Sequence, residues 1–333
     1  MTGVLLSQRV ADEYGARIQD IGARCQRRLE LAVCSPETRL GPEVIRDLEI
    51  AFYSRDVWEG TDKSFVNPAT RAFFAAADAA PTLRWLQLTS AGADLPFYQP
   101  SIERGVRVTT SSGSNAEPIS HTVAWAVLSF ARGSLRWLEA QRKHEWSPLI
   151  APHLPPDLRG QTAVILGTGP VGKAIARLLH VLGLTVIGVR RSARAAEHFD
   201  EVTTYDRLDT VLPRAQWLVI ASPLSETTRG LIDGRRLALL PPEACVVNIA
   251  RGEIIDEPAL IDALARGRLA GAYLDVFAAE PLPPDSPLWV MPNVLITPHN
   301  CSASAGNAQR GVEIFLDNLA RYLRGETLVN ELG

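Results

Sequence analysis

The sequence predicts an α/β protein made of two doubly wound, parallel-sheet domains. Three observations carry this. Residues 162–173, Thr-Ala-Val-Ile-Leu-Gly-Thr-Gly-Pro-Val-Gly-Lys, run from an apolar strand through a glycine turn into a helical pattern. Beyond that turn, short apolar runs alternate with helix-like stretches, as parallel strands joined by crossover helices do. The first 110 residues show the same alternation without phosphate-binding glycines and read as a separate α/β unit.

At 333 residues the chain has room for two cores. Its composition, 46% hydrophobic and 21% charged, is that of an ordinary globular protein. The net charge of −3 offers no electrostatic footprint for nucleic acid or an anionic membrane. No apolar run approaches a membrane span, and residues 8–28 mix charges with apolar side chains, unlike a secretory signal. Cys25, Cys34, Cys245 and Cys301 show no metal spacing, so reduced thiols in a cytoplasmic protein without a metal site are expected.

Residues 7–28 predict an amphipathic helix with Val10, Tyr14, Ile18 and Ile21 along one side. Strands are expected at Leu29–Val33, Ile50–Tyr53, Leu83–Leu88 and Val106–Thr109, separated by helical or turn-like stretches such as Pro42–Leu48 and Arg71–Ala77. Two loops fall at strand ends, where open α/β sheets place ligands. Ser54-Arg55-Asp56-Val57-Trp58 offers a guanidinium, and Thr89-Ser90-Ala91-Gly92-Ala93-Asp94 offers backbone N–H groups to a carboxylate. The competing reading of both is ordinary turn chemistry. Residues 111–115 read as a hinge before one long apolar helix, Pro118 to about Leu138, and the linker Arg142–Arg159 holds four prolines.

In the glycine turn, Gly167 permits the bend, Gly169 lets backbone approach a pyrophosphate, and Gly172 lets helix and strand pack closely. The free N–H groups and positive dipole end of the helix then favour phosphate. Pro170 suits the first helical position, whose N–H has no partner there. A second strand, Leu184–Val189, ends about 20 residues further on, where the ribose is read. It runs into Arg190, Arg191 and Ser192, with Arg194 close behind. A carboxylate there would repel a 2′-phosphate, whereas arginines and a hydroxyl bind one, so NADP(H) is expected over NAD. The competing reading is a solvated basic turn. Further strands are expected at Trp217–Ala221, Ala244–Ile249, Ala272–Val276 and Val294–Thr297, then a last helix, Ala305–Leu323, stopping at Arg324-Gly325.

From Gly167 onward the chain resembles the D-2-hydroxyacid dehydrogenase family. The matching pieces are Leu-Gly-Thr-Gly-Pro-Val-Gly (166–172), Ser-Pro-Leu-Ser-Glu-Thr-Thr-Arg-Gly-Leu-Ile (222–232) and Val-Asn-Ile-Ala-Arg-Gly (247–252). They continue with Leu-Asp-Val-Phe-Ala-Ala-Glu-Pro-Leu (274–282), Pro-Leu-Trp (287–289) and Pro-Asn-Val-Leu-Ile-Thr-Pro-His (292–299). The first 110 residues match only loosely, through the strand–helix layout and the Ser90–Asp94 loop.

The resemblance implies a flavodoxin-like substrate domain, 1–113 with 302–333, a Rossmann dinucleotide domain, 114–301, and a cleft between them. It implies a homodimer built through the dinucleotide domain. It also implies catalysis by Arg251, Glu280 and His299. Reduction of a 2-oxo acid places negative charge on the carbonyl oxygen, to which a protonated His299 can deliver a proton. Glu280 would orient that ring, and the planar fork of Arg251 would hold carboxylate and carbonyl oxygen together. Cofactor contacts are implied for Gly167, Thr168, Gly169, Pro170, Val171, Gly172, Arg190, Arg191, Ser192 and Thr228, with Ser222 and Pro223 near the adenine ribose and Ala250 and Asp275 near the nicotinamide. Substrate contacts are implied for Ser90, Ala91, Gly92 and Arg55. Glyoxylate or hydroxypyruvate is the expected substrate, because the basic turn resembles that of glyoxylate/hydroxypyruvate reductases.

Alternatives are a nucleotide-sensing corepressor-like protein, a phosphoglycerate dehydrogenase-like enzyme using NAD, or formate oxidation, for which the resemblance would place Gln at position 280. His121, His144, His153, His180 and His198 read as structural or exposed, although His121 stands where many relatives carry Glu. Trp58, Phe97, Tyr98 and Trp289 would either line a pocket for a bulkier keto acid or serve as core and rim.

Overall fold

The computed structural model describes residues 2–38, 40–61, 65–93, 95–151 and 154–332; Asp94 and His153 lie outside them. The chain divides into two compact units, Met1–Ser114 with Ser304–Gly333, and Asn115–Ala303.

The first unit holds strands β1 (Thr2–Ser7), β2 (Leu29–Cys34), β3 (Leu48–Tyr53), β4 (Trp85–Leu88) and β5 (Arg107–Thr109). All pair in parallel, in the order β2-β1-β3-β4-β5. β1 is fully buried and was not anticipated from the sequence. Its apolar run is short and leads straight into the helix Gln8–Arg24. Ser7 ends the strand and also caps the helix, its side chain accepting from Val10 N, so no turn marks the boundary.

Val10 and Ile18 of that helix are buried, and Tyr14 and Ile21 pack on the same cluster with Phe315 and Leu316 of the last helix, Asn307–Arg324. An Arg17–Glu313 ion pair of 2.7 Å joins the two helices, so the N-terminal helix packs on its own unit. On this sheet face Phe52 stacks on Phe315 at 4.4 Å. The opposite face is built on Tyr53, Phe73, Phe74 and Tyr98. Tyr98 is completely buried there, and Phe97 packs edge-on against it, so both serve the core.

The second unit holds β6 (Thr162–Leu166), β7 (Thr185–Arg190), β8 (Glu201–Thr204), β9 (Trp217–Ile220), β10 (Cys245–Asn248), β11 (Gly271–Leu274) and β12 (Val294–Ile296). They form one parallel sheet in the order β12-β11-β10-β9-β6-β7-β8. β8 is a correction to the sequence reading. Strands covered on both faces read as apolar runs, but Glu-Val-Thr-Thr lies at the sheet edge and lacks that signature. The direction of strand succession reverses between β6 and β9, the switch point at which such sheets bind ligands at their carboxyl edge.

The single long helix expected after the hinge is in fact two, Ala116–Ala131 and Ser134–Arg142. Gly133 separates them with φ at 70°. Apolar residues continue on both sides of the break, so periodicity alone conceals it. Among the described residues no helix is long and apolar enough to cross a membrane.

Candidate active site

Because all seven strands are parallel, their carboxyl ends share one edge of the sheet. The connections after β6, β7, β9, β10, β11 and β12 carry every candidate group of this unit.

β6 is followed by Gly167, whose φ is 101°, and Gly169 caps the helix Pro170–Val181. A Cβ at Gly167 would lie 2.8 Å from Ala221 O, and one at Gly172 would lie 2.0 Å from Gly167 O. Both glycines are therefore demanded by close backbone approach. Gly169 differs: among the described residues nothing lies within 4 Å of the position its Cβ would take. Protein packing does not require a glycine there, whereas a phosphate settling on the exposed helix N-terminus does. Beside the turn, Ser222 Oγ is buried and has no hydrogen-bond partner among the described residues. A buried hydroxyl left without a partner is costly unless a ligand supplies one. These features fit a dinucleotide.

β7 delivers Arg190 half-buried and Arg191, Ser192 and Arg194 exposed. Among the described residues none of these arginines ion-pairs with a carboxylate. Glu197 lies instead 3.8 Å from Lys173 and 3.5 Å from His198. Thr228 is engaged within its own loop, its hydroxyl accepting from Ser225 N and donating to Pro223 O, both at 2.8 Å.

At the end of β10, the side chain of the buried Asn248 turns onto the connection that follows. Its Nδ2 donates to Arg251 O at 3.0 Å and its Oδ1 accepts from Ala250 N at 3.1 Å. Gly252 then presses on the connection after β11, where a Cβ would stand 1.9 Å from the Phe277 carbonyl carbon. This contact brings the Arg251 segment against the one that leads to Glu280. Neither Asn248 nor Gly252 was singled out from the sequence. The available signal was a polar residue within an otherwise apolar strand.

Glu280 Oε2 accepts from His299 Nδ1 at 2.7 Å and Oε1 accepts from Phe277 N at 3.1 Å. Burial pushes the Glu280 carboxyl up, but these hydrogen bonds and the charges of His299 and Arg251 outweigh it and leave the group below its ordinary value. The His299 side chain remains 48% exposed, so the ring is held by the acid yet open to a ligand. Asp275, expected beside the nicotinamide, is completely buried, and both of its oxygens accept hydrogen bonds from residues around His299. Burial and the neighbouring Asp275 also push the Cys301 thiol well up, which keeps it protonated.

In the first unit, Arg55 and the Ser90–Gly92 loop follow β3 and β4, which are adjacent, so both sit at that sheet's carboxyl edge. Arg55 lies over the Trp58 ring at 4.2 Å. The Ser90 hydroxyl donates to Gly92 O at 2.6 Å, which shapes the loop. Among the other histidines, His180 bonds Asp200 at 2.8 Å and His121 is exposed, 3.9 Å from Glu117. Trp289 is half-exposed, with Nε1 donating to Pro283 O at 2.9 Å.

A doubly wound sheet with its glycine turn at the switch point defines a dinucleotide-binding fold. More narrowly, the chain belongs to the D-isomer specific 2-hydroxyacid dehydrogenase family, whose NAD binding domain model matches residues 124–301. It is 33% identical over 264 residues to a glyoxylate reductase of Korarchaeum cryptofilum, covering 76% of this chain and 78% of that one. It is 34% identical over 255 residues to glyoxylate/hydroxypyruvate reductase B of Pectobacterium carotovorum, covering 75% and 79%. Among solved structures, the D-isomer specific 2-hydroxyacid dehydrogenase of Xanthobacter autotrophicus Py2, in complex with NADPH and MES, superposes with a TM-score of 0.75. That match has 28% identity and covers 100% of this chain and 98% of that one.

Proposed function

We propose that this enzyme reduces a small 2-oxo acid, of the glyoxylate or hydroxypyruvate kind, to the D-2-hydroxy acid with NADPH as reductant. The observation that carries the reading is the His299–Glu280 pair at the edge of the sheet that bears the glycine turn. Gly167, Thr168, Gly169, Pro170, Val171 and Gly172 would hold the pyrophosphate, and Ser222 and Pro223 the adenosine side. When bound, the cofactor supplies a hydride to the carbonyl carbon of the substrate.

The chain's own residues supply the rest. His299, anchored through Nδ1, offers Nε2 as the proton donor to the carbonyl oxygen, and Glu280 compensates the charge of the ring. Arg251 holds the substrate carboxylate and carbonyl oxygen together through its planar fork. In the first unit, the N–H groups of the Ser90–Gly92 loop and the Arg55 guanidinium are the groups suited to a carboxylate. Arg190, Arg191 and Ser192 recognise the 2′-phosphate. Two observations support NADP(H): no carboxylate pairs with those arginines among the described residues, and the Xanthobacter relative is in complex with NADPH.

A homodimer completes the proposal. Trp125, Leu128, Trp137 and Leu138 of the two helices after the hinge are 39–49% exposed, an apolar group suited to a second copy of the unit. Sedimentation should give twice the chain mass, and Trp125→Glu with Trp137→Glu should give the single mass.

The test of function is a 2-oxo acid panel followed by NADPH absorbance, with His299→Ala and Arg251→Ala as controls. Glyoxylate or hydroxypyruvate should be consumed by the wild type alone. Turnover surviving in both variants would place the chemistry elsewhere.

A further inference from the structure

We infer that Asp275, acting through Thr297, is the positioning residue that holds His299 in its working orientation. This rests on the proposed role of His299.

His299 has φ of 51°, in the left-handed region that non-glycine residues seldom adopt. Such a conformation persists only where its surroundings over-determine it. Here the surroundings are largely one residue. Thr297 Oγ1 donates to Asp275 Oδ1 at 2.5 Å, and His299 N donates to Asp275 O at 2.8 Å. Asn300 N donates to Oδ1 at 2.9 Å, and Cys301 N is shared between Oδ1 and Oδ2 at 3.0 and 3.1 Å. The tether therefore grips the chain before, at and after the histidine. A second anchor comes from Tyr273, whose hydroxyl lies 2.6 Å from Thr297 Oγ1. Thr297 can accept from Tyr273 while donating to Asp275, linking two residues of the β11 segment to the turn that follows β12.

Asp275 is completely buried and, among the described residues, has no ion pair with Lys or Arg. A carboxylate in that setting is tolerable only because its oxygens are supplied with donors. An apolar side chain would fill the site without that requirement, but it would leave the backbone N–H groups of Asn300 and Cys301 unpaired and the histidine turn unheld. Glu280 then has a defined ring to meet: the acid sets its hydrogen bond, and Asp275 sets the position of the backbone from which the ring projects.

The experiment uses Thr297→Val, which removes the hydroxyl at nearly constant size, and Thr297→Ser, which keeps it. Asp275→Asn is the third variant. In protein labelled with 15N-histidine and assigned with His299→Gln, the Nδ1 proton signal of His299 should persist in wild type and Thr297→Ser. It should shift or vanish in Thr297→Val. A misplacement of about 1 Å costs on the order of a hundredfold, so kcat for glyoxylate should fall about tenfold to a hundredfold in Thr297→Val and recover in Thr297→Ser. NADPH affinity, read by fluorescence, should stay within about twofold in both Thr297 variants.

The inference is overturned if Thr297→Val keeps both the proton signal and kcat. It is also overturned if Asp275→Asn weakens NADPH binding while kcat at saturating cofactor is unchanged, since Asp275 would then be a cofactor contact. A wild type that reduces no 2-oxo acid would defeat the proposed function, whereas the imidazole signal would still judge the tether.

Discussion

His299 Nδ1 and Glu280 Oε2 lie 2.7 Å apart although 19 residues separate them in the chain. One stands on the turn after β12 and the other on the connection after β11, so the parallel pairing of those strands creates the contact. A carboxylate bonded to one ring nitrogen leaves the other to face a reacting atom, which is what a proton donor requires.

That geometry separates the roles of the two residues. Replacing His299 with Gln removes the proton donor, and kcat for 2-oxo acid reduction should fall about a thousandfold, within the usual range for general acid catalysis. Glu280→Gln keeps a hydrogen-bond acceptor but loses the charge, and a smaller loss is expected. Equal losses in both variants, measured at saturating NADPH, would show that the acid does more than orient and compensate the ring.

The depressed Glu280 carboxyl has a thermodynamic consequence. A group held below its ordinary value near 4.5 adds stability that is fully present above that value and disappears as pH falls through the folded-state value. Between about pH 6 and pH 3 the wild type should lose more stability than Glu280→Gln. The side chain is 36% exposed, so solvent screening keeps the effect modest. Urea melts at fixed ionic strength measure it, and parallel pH curves for the two proteins would contradict it.

The basic turn after β7 should set cofactor choice. We expect kcat/KM for NADPH to exceed that for NADH by about tenfold or more, since charge-assisted bonds to a 2′-phosphate are strong. Arg190→Ala with Arg191→Ala should erase most of that ratio by raising KM for NADPH. A tenfold preference of the wild type for NADH would reverse the assignment.

Gly252 offers a stability test near the site. A methyl group there would overlap the Phe277 carbonyl, a backbone group that cannot turn aside. Gly252→Ala should therefore cost about 1–3 kcal/mol, as overpacking does, and should lower activity by shifting Arg251. An unchanged melting temperature would mean that the two connections have room to separate.

Much of the fold was legible because its signals are local. Strands buried on both faces must be apolar, and a glycine turn feeding a helix has few other uses, so the main strands of the second unit and the β6 turn stand out in the sequence. β8 escaped because an edge strand need not be apolar, and β1 because Ser7 joins it to its helix without a turn. The break at Gly133 escaped because apolar spacing continues through it.

By itself, then, the sequence determined the fold class, the family and the kinds of side chain available for chemistry, since each depends on residue types at short spacing. Tertiary structure alone decided which groups meet. It set Glu280 against His299, turned Asn248 back on Arg251, closed Asp275 around the histidine turn and left Ser222 Oγ without a partner among the described residues. Those relations arise from strands that are neighbours in the sheet but distant in the chain, and no local pattern encodes which neighbours a strand will find.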